Sequence, residues 1–161
     1  MKQVYVGRSK IAGLGVVAGK DFKKGKLVTT VRGPVRYIRV ETKKQAQKHA
    51  VWIGRTKYTW FDPRPPLHRL NHSCDPNTGI RGKTRMYALR DIKKGEEITI
   101  DYSTIEPQPL WSMPCSCRTK KCRKVVRSIE FLPYTTYRKY LPYIPTYFQS
   151  MYKKSRRQKR T

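Results

Sequence analysis

Acidic side chains are scarce in this chain of 161 residues. Ten Asp and Glu stand against 37 Lys and Arg, which gives a formal net charge of +27 at pH 7. A field of this sign attracts polyanions and repels other basic chains. Nucleic acid, or a protein complexed with it, is therefore a candidate neighbour. The alternative is a source whose proteins are basic throughout, in which case the charge indicates no function.

Long hydrophobic runs are missing as well. No apolar stretch approaches the roughly 18 residues that a membrane-spanning helix needs. The opening residues, MKQVYVGRSK, lack the apolar centre of a secretory signal. A membrane or secreted protein is therefore not expected. Hydrophobic residues make up 37% of the chain and aromatic residues 11%, which is enough for one folded domain with a buried core.

Cysteine is rare but clustered. Cys115, Cys117 and Cys122 form a C-x-C-x4-C group, and Cys74 is the only other cysteine. Without an export signal, this spacing favours metal binding over a disulfide framework. Three thiolates on a tight loop can occupy three corners of a zinc tetrahedron, and Cys74 can supply the fourth. We expect one structural Zn²⁺ that joins two distant parts of the chain, with buried free thiols as the alternative.

The first two thirds of the chain contain short β-type runs. The candidate strands are Gln3–Val6, Gly15–Ala18, Leu27–Val31, Tyr58–Phe61, Arg85–Leu89 and Glu97–Tyr102. Two segments, AGKDFKKG at 18–25 and ALRDIKKG at 88–95, repeat one Asp and one Lys-Lys-Gly turn, and they predict a pseudo-symmetric β fold. Residues 41–53 are the only stretch of this region that can hold a helix.

The C-terminal third alternates prolines with tyrosines over residues 125–152. The tyrosines either pack this segment against the core as a strap, which is the favoured interpretation, or form a stacking platform for unpaired bases. KKSRRQKR at 153–160 carries six basic residues in eight positions. We expect a disordered, solvated tail there, which can also contact nucleic acid or act as a nuclear-localisation signal.

Three further motifs carry polar chemistry. NHSCDPN at 71–77 is a polar loop, either a ligand site or an Asx-rich turn. GEEITIDYS at 95–103 predicts a turn and a strand that ends near Tyr102. IAGLG at 11–15 allows close approach to the backbone, but it lacks the third glycine of a dinucleotide fingerprint.

In this order the motifs resemble the SET-domain protein-lysine methyltransferases. SKIAGLGVVAGKDFKKGKLV at 9–28 is similar to the family's opening segment, and RLNHSCDPN at 69–77 is similar to its Asn-His motif. GEEITIDYS is similar to the family's terminal strand with the active-site tyrosine. CSCRTKKC at 115–122 is similar to its post-SET zinc cluster. The resemblance runs from about Tyr5 to Cys122. More loosely, the residues after Cys122 resemble the tails of short, free-standing SET proteins of bacteria.

The resemblance implies a mainly β fold with short helices, the SET β-clip with its pseudo-knot, in which NHSC and GEEITIDYS lie side by side. It implies a SET domain at 1–104, a zinc-binding post-SET segment at 105–124, an extension packed on the domain at 125–152 and the basic tail at 153–161. It also implies S-adenosyl-L-methionine as cofactor.

The resemblance further assigns roles to individual residues. Tyr102 is expected to be the catalytic residue at the junction of cofactor and target lysine. The residues expected to bind the cofactor are Gly13, Leu14, Gly15, Asn71, His72, Tyr102 and Trp111. Tyr58, Trp60 and Ile100 are candidates for the lysine channel. Ile100 stands where this family often has Phe or Tyr, and this difference mildly favours di- or trimethylation.

The resulting prediction is a protein-lysine N-methyltransferase that acts on a basic histone-like, chromatin or ribosomal protein, presented on DNA or RNA. Its expected location is intracellular: the nucleus or chromatin of a eukaryotic or host cell, otherwise the cytoplasm or nucleoid. One alternative is a non-catalytic SET-fold module that binds nucleic acid or a protein partner. Another is a simple zinc-stapled nucleic-acid binder, which would not use S-adenosylmethionine.

Overall fold

The computed structural model describes residues 3–37, 50–55, 57–60 and 66–158. The strands are β1 (Val4–Arg8), β2 (Leu14–Ala18), β3 (Leu27–Thr30), β4 (Val35–Tyr37), β5 (Ala50–Trp52), β6 (Lys57–Trp60), β7 (Asn71–His72), β8 (Thr78–Arg81), β9 (Arg85–Ala88), β10 (Glu97–Ile100), β11 (Ser112–Pro114) and β12 (Val125–Arg127). The α-helices are α1 (Tyr134–Tyr140) and α2 (Thr146–Gln158). Short 3-10 turns cover Leu67–Arg69, Tyr102–Thr104 and Ile129–Phe131. The expected mainly β fold with short helices is confirmed.

Four small sheets arrange these strands. The largest has the order β1-β2-β10-β7, and its β7 strand runs parallel to β10. The others have the orders β3-β9-β8, β4-β6-β5 and β11-β12. Since β7 and β10 lie 26 residues apart in the chain, their pairing brings two separate motifs to one sheet edge.

The two repeated turns are related by reciprocal contacts. Phe22 and Ile92 exchange backbone hydrogen bonds of 2.8 Å in both directions. The Asp21 carboxylate accepts from the Lys94 N–H at 2.8 Å and pairs with Lys93. Asp91 does the same with the Lys24 N–H at 2.9 Å and with Lys23. Gly25 and Gly95 close the turns with φ of 77° and 84°, a region that glycine adopts at little cost. The predicted pseudo-symmetry is therefore confirmed.

Among the described residues, the core consists of three apolar clusters. The first fills the space between the sheets with residues such as Val16, Ile98 and Met86. The second packs Trp52 and Tyr58 against the helices, where Phe148 and Tyr152 of α2 are buried one turn apart. The third surrounds Cys74, Cys117 and Val126. Burial of α2 through this apolar face is what stabilises it.

The structure differs from two of the sequence expectations. A helix is expected at 41–53, but Ala50–Trp52 form strand β5. Residues 41–49 lie outside the described residues. The tail expected to be disordered from 153 onwards is helical as far as Gln158, because Tyr152 and Ser155 anchor the end of α2 in the core. Within the described residues, no helix has the length and apolar character to cross a bilayer.

Candidate functional site

The pairing of β7 with β10 builds the candidate site. Asn71 lies opposite Thr99 and His72 opposite Ile100, and the Ser73 N–H continues the ladder to the Ile100 carbonyl at 3.0 Å. After Ile100 the strand ends, and Asp101 caps the 3-10 turn that carries Tyr102. NHSC and GEEITIDYS therefore lie side by side, as the resemblance predicts.

The Asn71 amide fastens the 9–14 loop to this edge. The two hydrogens of its Nδ2 are shared among the Ser9 hydroxyl at 2.9 Å, the Ala12 and Leu14 carbonyls at 3.3 and 3.1 Å and the Glu97 carboxylate at 2.8 Å. Glu97 also accepts from the Ser9 hydroxyl at 2.7 Å and from the Lys10 N–H at 3.3 Å. The partners fix the orientation of the amide, and Asn71 Oδ1 makes no hydrogen bond within the described residues.

The glycines of the IAGLG motif have different surroundings. A Cβ on Gly15 would overlap the Glu97 carboxylate, so a side chain there would disrupt the Asn71–Glu97 contact. At Gly13 nothing lies within 4 Å of the Cβ position. Leu14 between them is 45% exposed. The backbone of this loop is therefore held by Asn71 and Glu97 near Gly15, whereas no atom of the described residues occupies the space beside Gly13.

His72 is buried, and both of its ring nitrogens have protein partners. Nδ1 lies 3.1 Å from the Tyr102 N–H, which donates to it, and Nε2 lies 3.2 Å from the Cys74 sulfur. Burial lowers the pKa of His72 to about 4. The ring is therefore neutral at pH 7, and Nε2 carries the proton that points at the thiol. No ring nitrogen remains for a ligand, and His72 instead joins Tyr102 to Cys74.

Tyr102 presents its hydroxyl beside the start of β7. The hydroxyl donates to the Leu70 carbonyl at 2.6 Å, and the ring lies 5.4 Å from that of His72. Burial raises the pKa of Tyr102 to about 12. The phenol thus stays protonated at neutral pH, where it orients a neighbouring group by hydrogen bonding and does not act as a base.

The four cysteines converge in one cluster, against which Tyr102 packs. Their sulfur atoms all lie within 4.8 Å of one another. Three come from the loop between β11 and β12, and Cys74 comes from the loop after β7. Four thiolates around a zinc ion with 2.3 Å bonds would lie about 3.8 Å apart. Both the donor set and its spacing therefore fit a structural Zn²⁺.

Further contacts hold the cysteine loop and the C-terminal helices against the site. Arg123 forms a 2.6 Å ion pair with the buried Asp101 carboxylate, and its N–H lies 3.3 Å from the Cys74 sulfur. From α1, the Tyr140 hydroxyl donates to the Cys74 carbonyl at 3.2 Å. The ion pair thereby connects Asp101, which precedes Tyr102, with Arg123, which follows Cys122.

The remaining predicted site residues fall in different places. Trp111 packs against the third cluster together with Tyr102, close to the cysteines. Tyr58 is buried in the second cluster, where its ring lies 5.5 Å from that of Trp52. Ile100 is 1% exposed and belongs to the first cluster. Trp60 ends β6, whose backbone alone is described at that position. The described contacts do not bring Tyr58 or Ile100 onto an open surface.

Several residues of the site are not among the sequence candidates. They are Ser9, Glu97, Asp101, Arg123 and Tyr140. Four of them lie within or next to the quoted motifs. Their polar side chains at those positions could have indicated them as site residues. Tyr140 has no such signal, because its contact with Cys74 spans 66 residues of sequence.

The same fold occurs in solved methyltransferase structures. The methyltransferase domain of human histone-lysine N-methyltransferase SETMAR matches with a TM-score of 0.59 and 21% identity, covering 76% of this chain and 57% of that one. KRYPTONITE, in complex with mCHG DNA and SAH, matches with a TM-score of 0.60 and 20% identity, covering 76% of this chain and 28% of that one. At these identities the likeness defines the fold.

The sequence comparison identifies the family. A model of the SET domain matches residues 13–103, more than half of the chain. This protein therefore belongs to the SET domain family. Among curated relatives, histone-lysine N-methyltransferase trr of Drosophila melanogaster is 31% identical over 138 residues, and TRX1 of Oryza sativa subsp. japonica is 30% identical over 149. These alignments cover 75% and 80% of this chain but only 6% and 14% of the relatives.

Proposed function

We propose that this protein is an S-adenosylmethionine-dependent protein-lysine N-methyltransferase. The observation that carries the proposal is the Tyr102 phenol, protonated at neutral pH and held by the Leu70 carbonyl at the paired edge of β7 and β10. Its neighbours in the chain and in space are the residues that the family resemblance links to the cofactor. The curated relatives are named as histone-lysine methyltransferases, which supports the same reaction class.

The residues near Asn71 fit S-adenosylmethionine. Asn71 Oδ1, which has no hydrogen-bond partner among the described residues, would accept from its ammonium group, and the open backbone at Gly13 allows close approach. The contribution of His72 would be indirect, since its ring holds Tyr102 and Cys74. Trp111 packs against the cysteine cluster, and we propose that it covers the aromatic base of the cofactor. When bound, the cofactor supplies an electrophilic methyl group and a positive charge that disfavours a protonated lysine beside it.

The protein's own part in methyl transfer is alignment. The Tyr102 hydroxyl would orient a neutral lysine amine, and alignment of this kind accounts for much of the acceleration in a two-reactant step. The Leu70 carbonyl fixes this hydroxyl by accepting its hydrogen bond at 2.6 Å. The target ammonium would lose one proton to solvent before transfer, and the methylated product would keep its remaining protons as a methylammonium ion. No carboxylate base is required.

The substrate we propose is a basic histone-like, chromatin or ribosomal protein bound to DNA or RNA. With its net charge of +27, this protein repels a free basic peptide. Nucleic acid neutralises the peptide's charge and attracts the enzyme. A non-catalytic SET-fold module that binds nucleic acid is the second candidate, supported by the same charge.

The test uses methyl-labelled S-adenosylmethionine and a cell lysate, with and without nuclease. Tyr102→Phe removes the hydroxyl and keeps the ring, so transfer should fall at least about a hundredfold, while cofactor affinity changes less than about threefold. Tyr87→Phe is the matched control, because that tyrosine lies on β9, which pairs with β3 and β8, whereas the site lies on β7 and β10. Comparable turnover in Tyr102→Phe would disprove the role of Tyr102. Cofactor binding without label in any lysate would favour the non-catalytic module.

A further inference from the structure

A groove lined by basic and aromatic residues lies between α1 and α2, and the proposed methyl transfer does not use it. It has a volume of about 700 Å³. It is lined by Tyr134, Tyr137, Arg138, Leu141, Tyr152, Lys153, Arg156 and Arg157. Four of these eight residues are cations and none is acidic.

The cations of this groove are exposed and free of carboxylates. Across the described residues, neither Arg138, Lys153, Arg156 nor Arg157 forms an ion pair with Asp or Glu. Arg138 and Arg156 instead donate to the hydroxyls of Tyr134 and Tyr152. The sequence explains this pattern, since no acidic residue occurs after Glu130. Elsewhere in the fold, lysines and arginines such as Lys23, Lys93 and Arg123 are paired with aspartates.

Three of the residues that line the groove are tyrosines. Tyr137 and Tyr152 stack at 3.9 Å between ring centroids and are almost fully buried. Within the part of the chain that the structure describes, the buried Tyr137 hydroxyl has no hydrogen-bond partner. Tyr134 on the rim is 55% exposed, and the Arg138 guanidinium lies 5.9 Å from its ring centroid.

We infer that the α1–α2 groove binds single-stranded nucleic acid. Four uncompensated cations match a run of phosphates, and the exposed Tyr134 ring with its neighbouring guanidinium is a platform for an unpaired base. An acidic peptide or an anionic membrane would use the charges but would leave the stacking face of Tyr134 without a partner. The inference concerns binding alone and does not depend on methyl transfer.

The test is fluorescence anisotropy of the full chain with a labelled single-stranded oligothymidylate, titrated at several salt concentrations. The variant R138Q/K153Q/R156Q/R157Q removes the four cations of the groove. The matched control K20Q/K24Q/K26Q/K94Q removes the same charge from exposed lysines that do not line the groove. All eight side chains are exposed, so both variants should fold.

We expect the groove variant to bind at least about tenfold more weakly than the control variant, and its salt slope to decrease by about 0.7 for each phosphate that it no longer neutralises. Tyr134→Ala should weaken binding about fivefold or more, whereas Tyr5→Ala, an exposed tyrosine on β1, should not. Equal losses of affinity in the two charge variants would overturn the inference, because the net charge alone would then explain binding. So would competition by polyglutamate or phosphatidylserine vesicles as effective as competition by unlabelled oligonucleotide.

Discussion

Glu97 shows how a single carboxylate organises the candidate cofactor loop. One of its oxygens accepts from the Ser9 hydroxyl and the Asn71 amide, and the other accepts from the Lys10 N–H. These hydrogen bonds tie β10 to the loop that contains Gly13. The carboxylate does not reach the reacting atoms in our proposal, so it is a positioning residue.

Glu97→Gln should therefore weaken cofactor binding more than it weakens the fold. The amide keeps one acceptor and replaces the other with a donor, which costs about 1.5 kcal/mol or more for hydrogen bonds to a charged group. We expect the dissociation constant of S-adenosylmethionine, measured by calorimetry, to rise about tenfold. Glu96→Gln is the control, because Glu96 bonds Asn77 and Lys93 instead of the loop. An equal loss of affinity in both variants would indicate general destabilisation.

At the scale of elements, the β11–β12 pair and the loop after β7 depend on one another. The ladder from Ser112↔Arg127 to Pro114↔Val125 holds the cysteine loop, and Arg118 and Lys124 within or beside it adopt left-handed φ of 58° and 64°. Non-glycine residues adopt such φ values only when their surroundings fix them. A metal bound to four thiolates would provide that constraint.

Cys117→Ser should release this loop. We expect about one zinc per wild-type chain by plasma mass spectrometry and much less in the variant. The free energy of unfolding in urea should fall by about 3 kcal/mol or more, and a chelator should reproduce the loss in the wild-type protein, with recovery on adding Zn²⁺. If the wild-type protein contained no metal and the chelator left its free energy of unfolding unchanged, the result would instead support buried free thiols.

Elements with a strong local pattern were predictable from the sequence. Strands β2 and β10 follow from apolar runs, and the two Lys-Lys-Gly turns follow from Gly25 and Gly95. Strand β7 was not predictable, because two residues have no periodicity and form a strand only through β10.

The four cysteines were recognisable as one set, yet the Asp101–Arg123 pair was not, because no spacing rule links residues of different loops. In α2, Phe148 and Tyr152 have helical spacing, but the surrounding prolines and tyrosines obscured it.

At the scale of the whole molecule, charge should govern which form of a substrate is used. Repulsion between this chain and a free basic peptide is screened by salt, whereas attraction to a nucleic-acid complex is weakened by it. Raising the salt concentration from about 30 to about 150 mM should lower KM for the free peptide and raise KM for the same peptide bound to RNA. Steady-state methylation at matched peptide concentrations measures both. If KM moved in the same direction for the two forms, charge would not select the substrate.

The hydrogen bond from Tyr140 to the carbonyl of Cys74 has a consequence for biosynthesis. During translation, the loop after β7 leaves the ribosome long before α1 does, so it must wait for 66 more residues before this contact can form. The cysteines at 115–122 also emerge later than Cys74. The nascent chain can therefore complete the candidate site only after α1 has been synthesised, and a chain truncated before α1 would leave the Cys74 carbonyl without the Tyr140 donor.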